Sequence, residues 1–325
     1  MQTDEMRVGQ RDMIETQDLT KEFDEFLAVD RVSIRVGAGE VLAVLGPNGA
    51  GKTTTVRMMT SILVPTRGTA RIAGYDVVRD AAKVRASVGV LTEQHGLYER
   101  MKVLEYLDFF GEIYHLTKNV RQTRARELLE RFGLAEAMNR RVGDYSKGMK
   151  QKLALVRALL HHPPVLLLDE PTSAMDPQSA KQVRDAIIDL QKEERTFLIT
   201  THNLTEAQAL ANKIAIIRHG RIIAQGSLAE LGQQMGAQVR IELRVNGALN
   251  GVAKDIGDMV EICDTGDGWL QYSTPDASVT NPVLLRKLIG LGVEVVSLTP
   301  ITSTLEDIYL KIMEEDEVVH PMQSL

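Results

Sequence analysis

The chain has one cysteine, Cys263, among 325 residues. One thiol forms neither an internal disulfide nor a cysteine-rich zinc site, and it fits a reducing compartment. Long apolar runs are missing as well. A spanning helix needs about 18 or more nearly continuous apolar residues. Val41–Leu45 and Val165–Leu168 are far shorter, so the chain is expected to cross no bilayer by itself. Met1 to Gln10 is acidic and polar, with no apolar segment of the kind a signal peptide carries. Nor is there an excess of positive charge. Lys plus Arg number 38 against 44 Asp plus Glu, a net charge of −6, which makes a poor general nucleic-acid binder. Arg121, Arg124, Arg126, Arg131, Arg140 and Arg141 form the most basic stretch. Glu127, Glu130, Glu136 and Asp144 interleave with them, as on a solvated helix face.

What is present is a globular composition, 44% hydrophobic and 25% charged, on a chain long enough for about two domains. Residues 1–13 read as a flexible extension, with Met13 an alternative start. A β-rich region follows from Ile14. Val32, Ile34 and Val36 alternate with Ser33 and Arg35, as in one half-buried strand. Val41–Leu45 reads as a fully buried strand and Thr53–Ser61 as a helix. A helical stretch spans about 95–150. Beyond it, strands at Val165–Leu168, Thr196–Thr200 and Ile214–Ile217 alternate with helices at Pro177–Gln191 and Leu204–Ala211. Such alternation predicts an α/β fold with a mainly parallel sheet covered on both faces.

The composition shifts near Gly226. Ser227 and Glu230 make a capping-box pattern, and 230–237 reads as a linker. From Gln238 to the end, 238–325, the order becomes β-α-β-β-α-β, with Asn281-Pro282 opening the second helix. That is the ferredoxin-like order of a small α+β domain. Ser303 and Glu306 are expected to cap a last helix.

Three segments carry chemistry. Gly46-Pro47-Asn48-Gly49-Ala50-Gly51-Lys52-Thr53 fits the G-x-x-x-x-G-K-[ST] pattern between an apolar strand and a helix. Glycines let loop N–H groups converge on phosphate oxygens, and the helix N-terminus adds partial positive charge. Lys52 can reach the β- and γ-phosphates, and Thr53 can offer its hydroxyl to Mg²⁺. The second segment, Val165-Leu166-Leu167-Leu168-Asp169-Glu170, is a buried strand ending in two acids. A strand-end acid needs a partner, and Mg²⁺ is the natural one for Asp169. Glu170 then stands where ligands bind in open α/β sheets and could polarise a water. The third is Tyr145-Ser146-Lys147-Gly148-Met149-Lys150-Gln151, one helix before the second.

With that third segment the chain resembles the ATP-binding cassette (ABC) ATPases over roughly Ile14 to Ala229. Ser173-Ala174-Met175-Asp176 resembles the family's D-loop, and Thr201-His202 its switch-histidine loop. Phe23 stands where the family places an aromatic on adenine, with Phe26 a competing position. The usual Leu-Ser-Gly-Gly-Gln signature reads Tyr-Ser-Lys-Gly-Met here. Ungapped matching puts Glu93 at the usual Q-loop glutamine, with Gln94 next to it; either could contact Mg²⁺ or the attacking water.

The resemblance implies a P-loop cassette with an N-terminal β subdomain and a helical subdomain, binding ATP and Mg²⁺. ATP contacts would come from Phe23, residues Gly46 through Thr54 (the loop plus Thr54), and Glu93 or Gln94. Thr53 and Asp169 would hold Mg²⁺. Glu170, His202 and Lys52 would act in hydrolysis. Two cassettes, as a homodimer or with a similar subunit, would sandwich each ATP against Ser146, Lys147, Gly148, Met149 and Asp176 of the opposite chain. Separate polytopic membrane subunits would dock at Gly96–Met101 and the helical stretch, holding the chain peripherally at the inner face of the cell membrane. The motifs look most like type-2 ABC exporters, the 238–325 domain being an accessory. The alternative is a soluble ABC ATPase acting on nucleic acid or ribosomes. Such proteins carry two cassettes, long coiled-coil insertions or zinc-binding cysteines, and this chain has none of these.

Overall fold

A computed structural model describes residues 12–24, 26–92, 95–173, 175–234, 239–247, 249, 251–301 and 304–319. The chain forms two compact units that divide after Leu228. Among the described residues, no helix is long and apolar enough to cross a membrane.

The first unit is built on a six-stranded sheet. Its spatial order is Arg221–Gly226, Lys213–Arg218, Val41–Leu45, Thr196–Thr201, Val165–Asp169, Val88–Leu91. All neighbours pair in parallel except Arg221–Gly226, an antiparallel edge. The reason lies in the side-chain period of two. Val165 and Leu167 join one apolar cluster with Val44 and Leu198, while Leu166 and Leu168 join another with Phe197 and Ile199. A strand covered on both faces is largely apolar, as Val41–Leu45 and the first four residues of Val165–Asp169 are.

A second, antiparallel sheet holds Asp12–Phe23, Phe26–Val32, Arg35–Gly37, Arg67–Ile72 and Tyr75–Asp76. Val32, Ile34 and Val36 are buried as their alternation predicts, but the expected single strand breaks between Val32 and Arg35. Thr16 fills the break. Its hydroxyl donates to the Val32 carbonyl and accepts from the Ile34 N–H, both at 2.9 Å. The helical stretch contains Val103–Ile113, Lys118–Arg131 and Lys147–Leu159, packed around Tyr106, Leu107, Leu129 and Leu153. Two of its arginines are paired: Arg121 with Asp108 and Arg131 with Glu193.

The second unit has four antiparallel strands in the order Glu261–Gly266, Trp269–Thr274, Val239–Val245, Val295–Ile301. Val252–Ile256 and Ala277–Gly290 are its crossing helices, and Ile241, Leu243, Leu270, Tyr272, Ile256, Leu284 and Leu288 form the core. The expected linker 230–237 is helical as far as Gln234, within Leu228–Gln234. Two starts differ from expectation. The second crossing helix begins at Ala277, not at Asn281-Pro282, because the Asp276 carboxylate takes the Ser278 N–H at 2.8 Å. Pro282 lies inside that helix, where it has no N–H to donate to the i−4 carbonyl. Ser303 lies outside the described residues. The last helix, Leu305–Val319, is capped instead by Thr304, whose hydroxyl accepts the Asp307 N–H while Asp307 takes the Thr304 N–H.

Candidate functional site

Three neighbouring strands carry the site at their C-terminal ends. Thr196–Thr201 lies between Val41–Leu45 and Val165–Asp169, with Leu45 opposite Thr201 and Thr200 opposite Asp169. Continuing each strand delivers the Gly46 loop, His202 and Glu170 to one place. Segments distant in sequence, 116 residues apart for Thr53 and Asp169, thereby meet at a strand-end crevice, where open α/β sheets bind ligands.

The loop after Leu45 is shaped by backbone contact. Gly51 has φ +100°, and a Cβ there would stand 2.6 Å from the Ala28 carbonyl oxygen. A Cβ on Gly46 would stand 2.2 Å from the Ile217 oxygen. Glycine alone meets both demands. The helix Lys52–Met59 starts directly after this loop. Lys52 is buried, and its Nζ donates to the Gly46 carbonyl at 2.6 Å and the Pro47 carbonyl at 3.1 Å.

Thr53 Oγ1 donates to Asp169 Oδ2 at 2.9 Å, and Thr200 Oγ1 donates to the other Asp169 oxygen. The next residue, Glu170, has φ +52°, a left-handed backbone that costs a non-glycine residue about 1–3 kcal/mol. Its neighbours hold it there. The Glu170 N–H reaches the Thr200 carbonyl at 2.9 Å, and Gln151 Nε2 donates to the Glu170 and Pro171 carbonyls at 3.2 and 3.0 Å. The carboxylate takes His202 Nδ1 at 2.8 Å.

These groups line a cavity of about 580 Å³. Its walls include Asn48 through Thr54, Asp169, Glu170, Ser173, His202, Phe26 and Ala28. Gly46 and Pro47 are not in the wall; they support Lys52 from behind. Phe23 is not in the wall either, whereas Phe26, the competing position for the base-stacking ring, is. Phe23 and Phe26 pair across their hairpin, but Phe26 reaches the cavity while the Phe23 ring lies 5.0 Å from Lys21 Nζ. Glu93 and Gln94 fall outside the described residues.

The expected signature and D-loop residues serve local roles in this chain. Ser146 caps Lys147–Leu159 by accepting the Met149 N–H at 3.3 Å, and Ser146 and Lys147 are exposed. Asp176 caps Pro177–Lys192 by accepting the Ser179 N–H at 2.9 Å, which holds its carboxyl below the usual range.

Two contributors escaped sequence reasoning. Gln151 is buried and braces the turn after Glu170. Glu206 is also buried; its two oxygens accept from Thr172 at 2.6 Å and Thr201 at 2.7 Å. It thereby joins the turn after Glu170 to the residue before His202. Burial pushes the Glu206 carboxyl up. The sequence offered only the Asn203-x-x-Glu206 spacing of a helix cap, and Asn203 does accept the Glu206 N–H at 3.1 Å.

A phosphate-binding loop, a strand-end acid pair and a histidine directly after the intervening strand define a P-loop nucleotide-binding protein. Comparison with known proteins narrows the class. A family profile described as ABC transporter matches residues 29–173. The chain is 35% identical over 300 residues to the daunorubicin resistance ATP-binding protein DrrA3 of Streptomyces coeruleorubidus, covering 92% of this chain and 95% of that one. It is 41% identical over 224 residues to the ABC transporter ATP-binding protein NatA of Bacillus subtilis, covering 67% and 91%. A solved ATP-binding subunit of an ABC transporter superposes with a TM-score of 0.65 at 29% identity, over 69% of this chain and 94% of that one. The chain belongs to the ATP-binding proteins of ABC transporters.

Proposed function

We propose that this chain is the Mg²⁺-dependent ATPase subunit of an ABC exporter, working through separate membrane subunits. The observation that carries the reading is the convergence of Lys52, the Thr53–Asp169 pair and the Glu170–His202 pair on one cavity. Phosphoryl transfer needs positioning and charge neutralisation more than covalent chemistry. Lys52 and the loop N–H groups bind the phosphates. Glu170 orients or deprotonates the attacking water, and His202 contacts the γ-phosphate while its bond to Glu170 fixes that carboxylate. Phe26 supplies a ring face for the base. Thr53 and Asp169 offer only hard oxygen donors, which suits Mg²⁺ held together with substrate phosphates. Bound there, the ion supplies further neutralisation of phosphate charge.

The cassette works as a dimer. Ser146 and Lys147 are exposed at the start of their helix, and a Cβ on Gly148 would meet nothing within 4 Å. Among the described residues, nothing therefore demands glycine at 148. The demand comes from outside, from ATP on a second cassette against Ser146 and Gly148, with Asp176 near the same junction. Membrane subunits dock on the aromatic patch of the helical subdomain, where Tyr98 is 49% and Phe109 is 41% exposed. That contact holds the chain at the inner face of the membrane. Export is supported by the resistance-protein names of the relatives, none of which refers to nucleic acid or ribosomes. The second unit, ferredoxin-like in strand and helix order, is a regulatory or dimer-stabilising accessory.

The test is cross-linking in cells followed by pull-down, together with ATPase assay of the purified chain and its Lys52→Ala variant. A polytopic membrane protein is expected as the partner, with hydrolysis lost in the variant. Recovery on ribosomes or DNA overturns the exporter reading, and absence of ATP hydrolysis by the purified complex overturns the enzyme.

A further inference from the structure

The helix that opens with Ser146 carries Arg157 near its other end, and this side chain gathers three contacts from two other segments. Its Nη1 donates to the backbone carbonyl of His95 and to the Tyr106 hydroxyl, each at 2.8 Å. Its guanidinium lies 5.3 Å from the centre of the Phe110 ring. Phe110 and Tyr106 are themselves packed at 4.8 Å, and the exposed Tyr98 ring lies 6.0 Å from each of them. Phe109 packs edge-on against Phe110 at 5.3 Å. A continuous aromatic cluster thus runs from the surface to Arg157. From Arg157 it continues to the backbone directly after Gln94 in sequence, and along one helix towards Ser146.

We infer that Arg157 is a positioning residue that couples the exposed aromatic patch to the nucleotide site. The inference rests on the proposed reading, in which a membrane subunit presses on Tyr98 and Phe109. The chemistry favours arginine at this point. A planar guanidinium stacks on a ring face while its fork donates in the plane; an ammonium can serve one of these geometries at a time. Coupling of this kind is reciprocal. If the two sites bias one conformational equilibrium, nucleotide bound at the P-loop is expected to be felt at Tyr98 with no partner present, which makes the link measurable on the isolated chain.

Trp269 is the chain's one tryptophan, so Trp269→Phe with Tyr98→Trp gives a single fluorescent reporter on the patch. ATP with Mg²⁺ is the probe. Its addition is expected to shift the reporter's emission, and adding Arg157→Met is expected to abolish the shift. ATP affinity, measured separately by calorimetry, should stay within about tenfold of the parent. Arg157→Lys should recover less than half of the shift. Tyr106→Phe, which removes one acceptor from a buried ring, should reduce it. A merely structural arginine would lower the melting temperature and leave the shift intact. The inference is overturned by a full shift in folded Arg157→Met. If that variant does not fold, full shifts in both Arg157→Lys and Tyr106→Phe overturn it. A parent reporter that binds ATP without any shift overturns it too. A parent that binds no ATP overturns the functional reading instead.

Discussion

His202 Nδ1 lies 2.8 Å from Glu170 Oε1, so the histidine of one strand end is hydrogen-bonded to the acid of the next. The pair differs in environment: the Glu170 side chain is 13% exposed and the His202 side chain 59%. A sheltered carboxylate held by an accessible imidazole suits a base that must face a water without being swamped by solvent. The left-handed Glu170 backbone, braced by Thr200 and Gln151, fixes where that carboxylate points. Glu170→Gln keeps the volume and one acceptor oxygen but removes the base. Turnover is expected to fall about 10²–10⁴-fold, the range of general-base contributions. ATP binding should persist, and size-exclusion chromatography should show a dimer retained on ATP. Unchanged kcat in this variant removes Glu170 from its role.

Gly148 separates a fold requirement from a partner requirement. It sits in the first turn of Lys147–Leu159, where glycine costs at most the roughly 0.5–1 kcal/mol relative to alanine that it costs in mid-helix. Since a Cβ there meets open space, Gly148→Ala should leave the fold as stable or raise its melting temperature by about 1–4 °C. ATP-driven dimerisation and turnover should nevertheless drop sharply, because in the proposed dimer the added methyl would stand where the opposite cassette's ATP approaches. Equal or higher melting temperature with undiminished turnover would place the signature contact elsewhere.

The sheet and the phosphate loop were legible because their signals are local. Val165-Leu166-Leu167-Leu168 is apolar at both parities, as a strand buried on two faces requires, and Gly51-Lys52-Thr53 stands at the start of the helix after the loop, as its chemistry demands. What stayed hidden depends on side-chain direction. Phe23 and Phe26 are equivalent in composition, and only hairpin geometry puts Phe26 in the wall. Glu206 looks like a surface cap until its carboxylate is seen turned inward onto Thr172 and Thr201. The Asn281-Pro282 start failed because a proline signals a helix N-terminus only weakly when Asp276, further upstream, already supplies the cap.

Stability towards acid should depend on His161. Its ring stacks on Tyr114 at 3.7 Å and 4°, and its Nε2 donates to the Val88 carbonyl at 3.0 Å. Nδ1 is buried with no hydrogen-bond partner among the described residues. A second proton would therefore sit against apolar surroundings, and burial pushes the imidazole pKa from 6.5 down to about 4, with Arg124 and Arg195 adding repulsion. The unfolded chain then binds more protons than the folded one between those values, so stability rises with pH there and is lost as pH falls from about 6.5 towards 4. Between pH 7 and pH 4.5 this one group accounts for about 2–3 kcal/mol at most. His161→Phe keeps the stack but cannot titrate. It should be less stable than the parent at pH 7, by about 1–3 kcal/mol, because the Val88 carbonyl loses its donor. Urea unfolding at a series of pH values should then show the two curves converging as acid is added. Parallel curves would mean that His161 is not the group that makes this fold acid-sensitive.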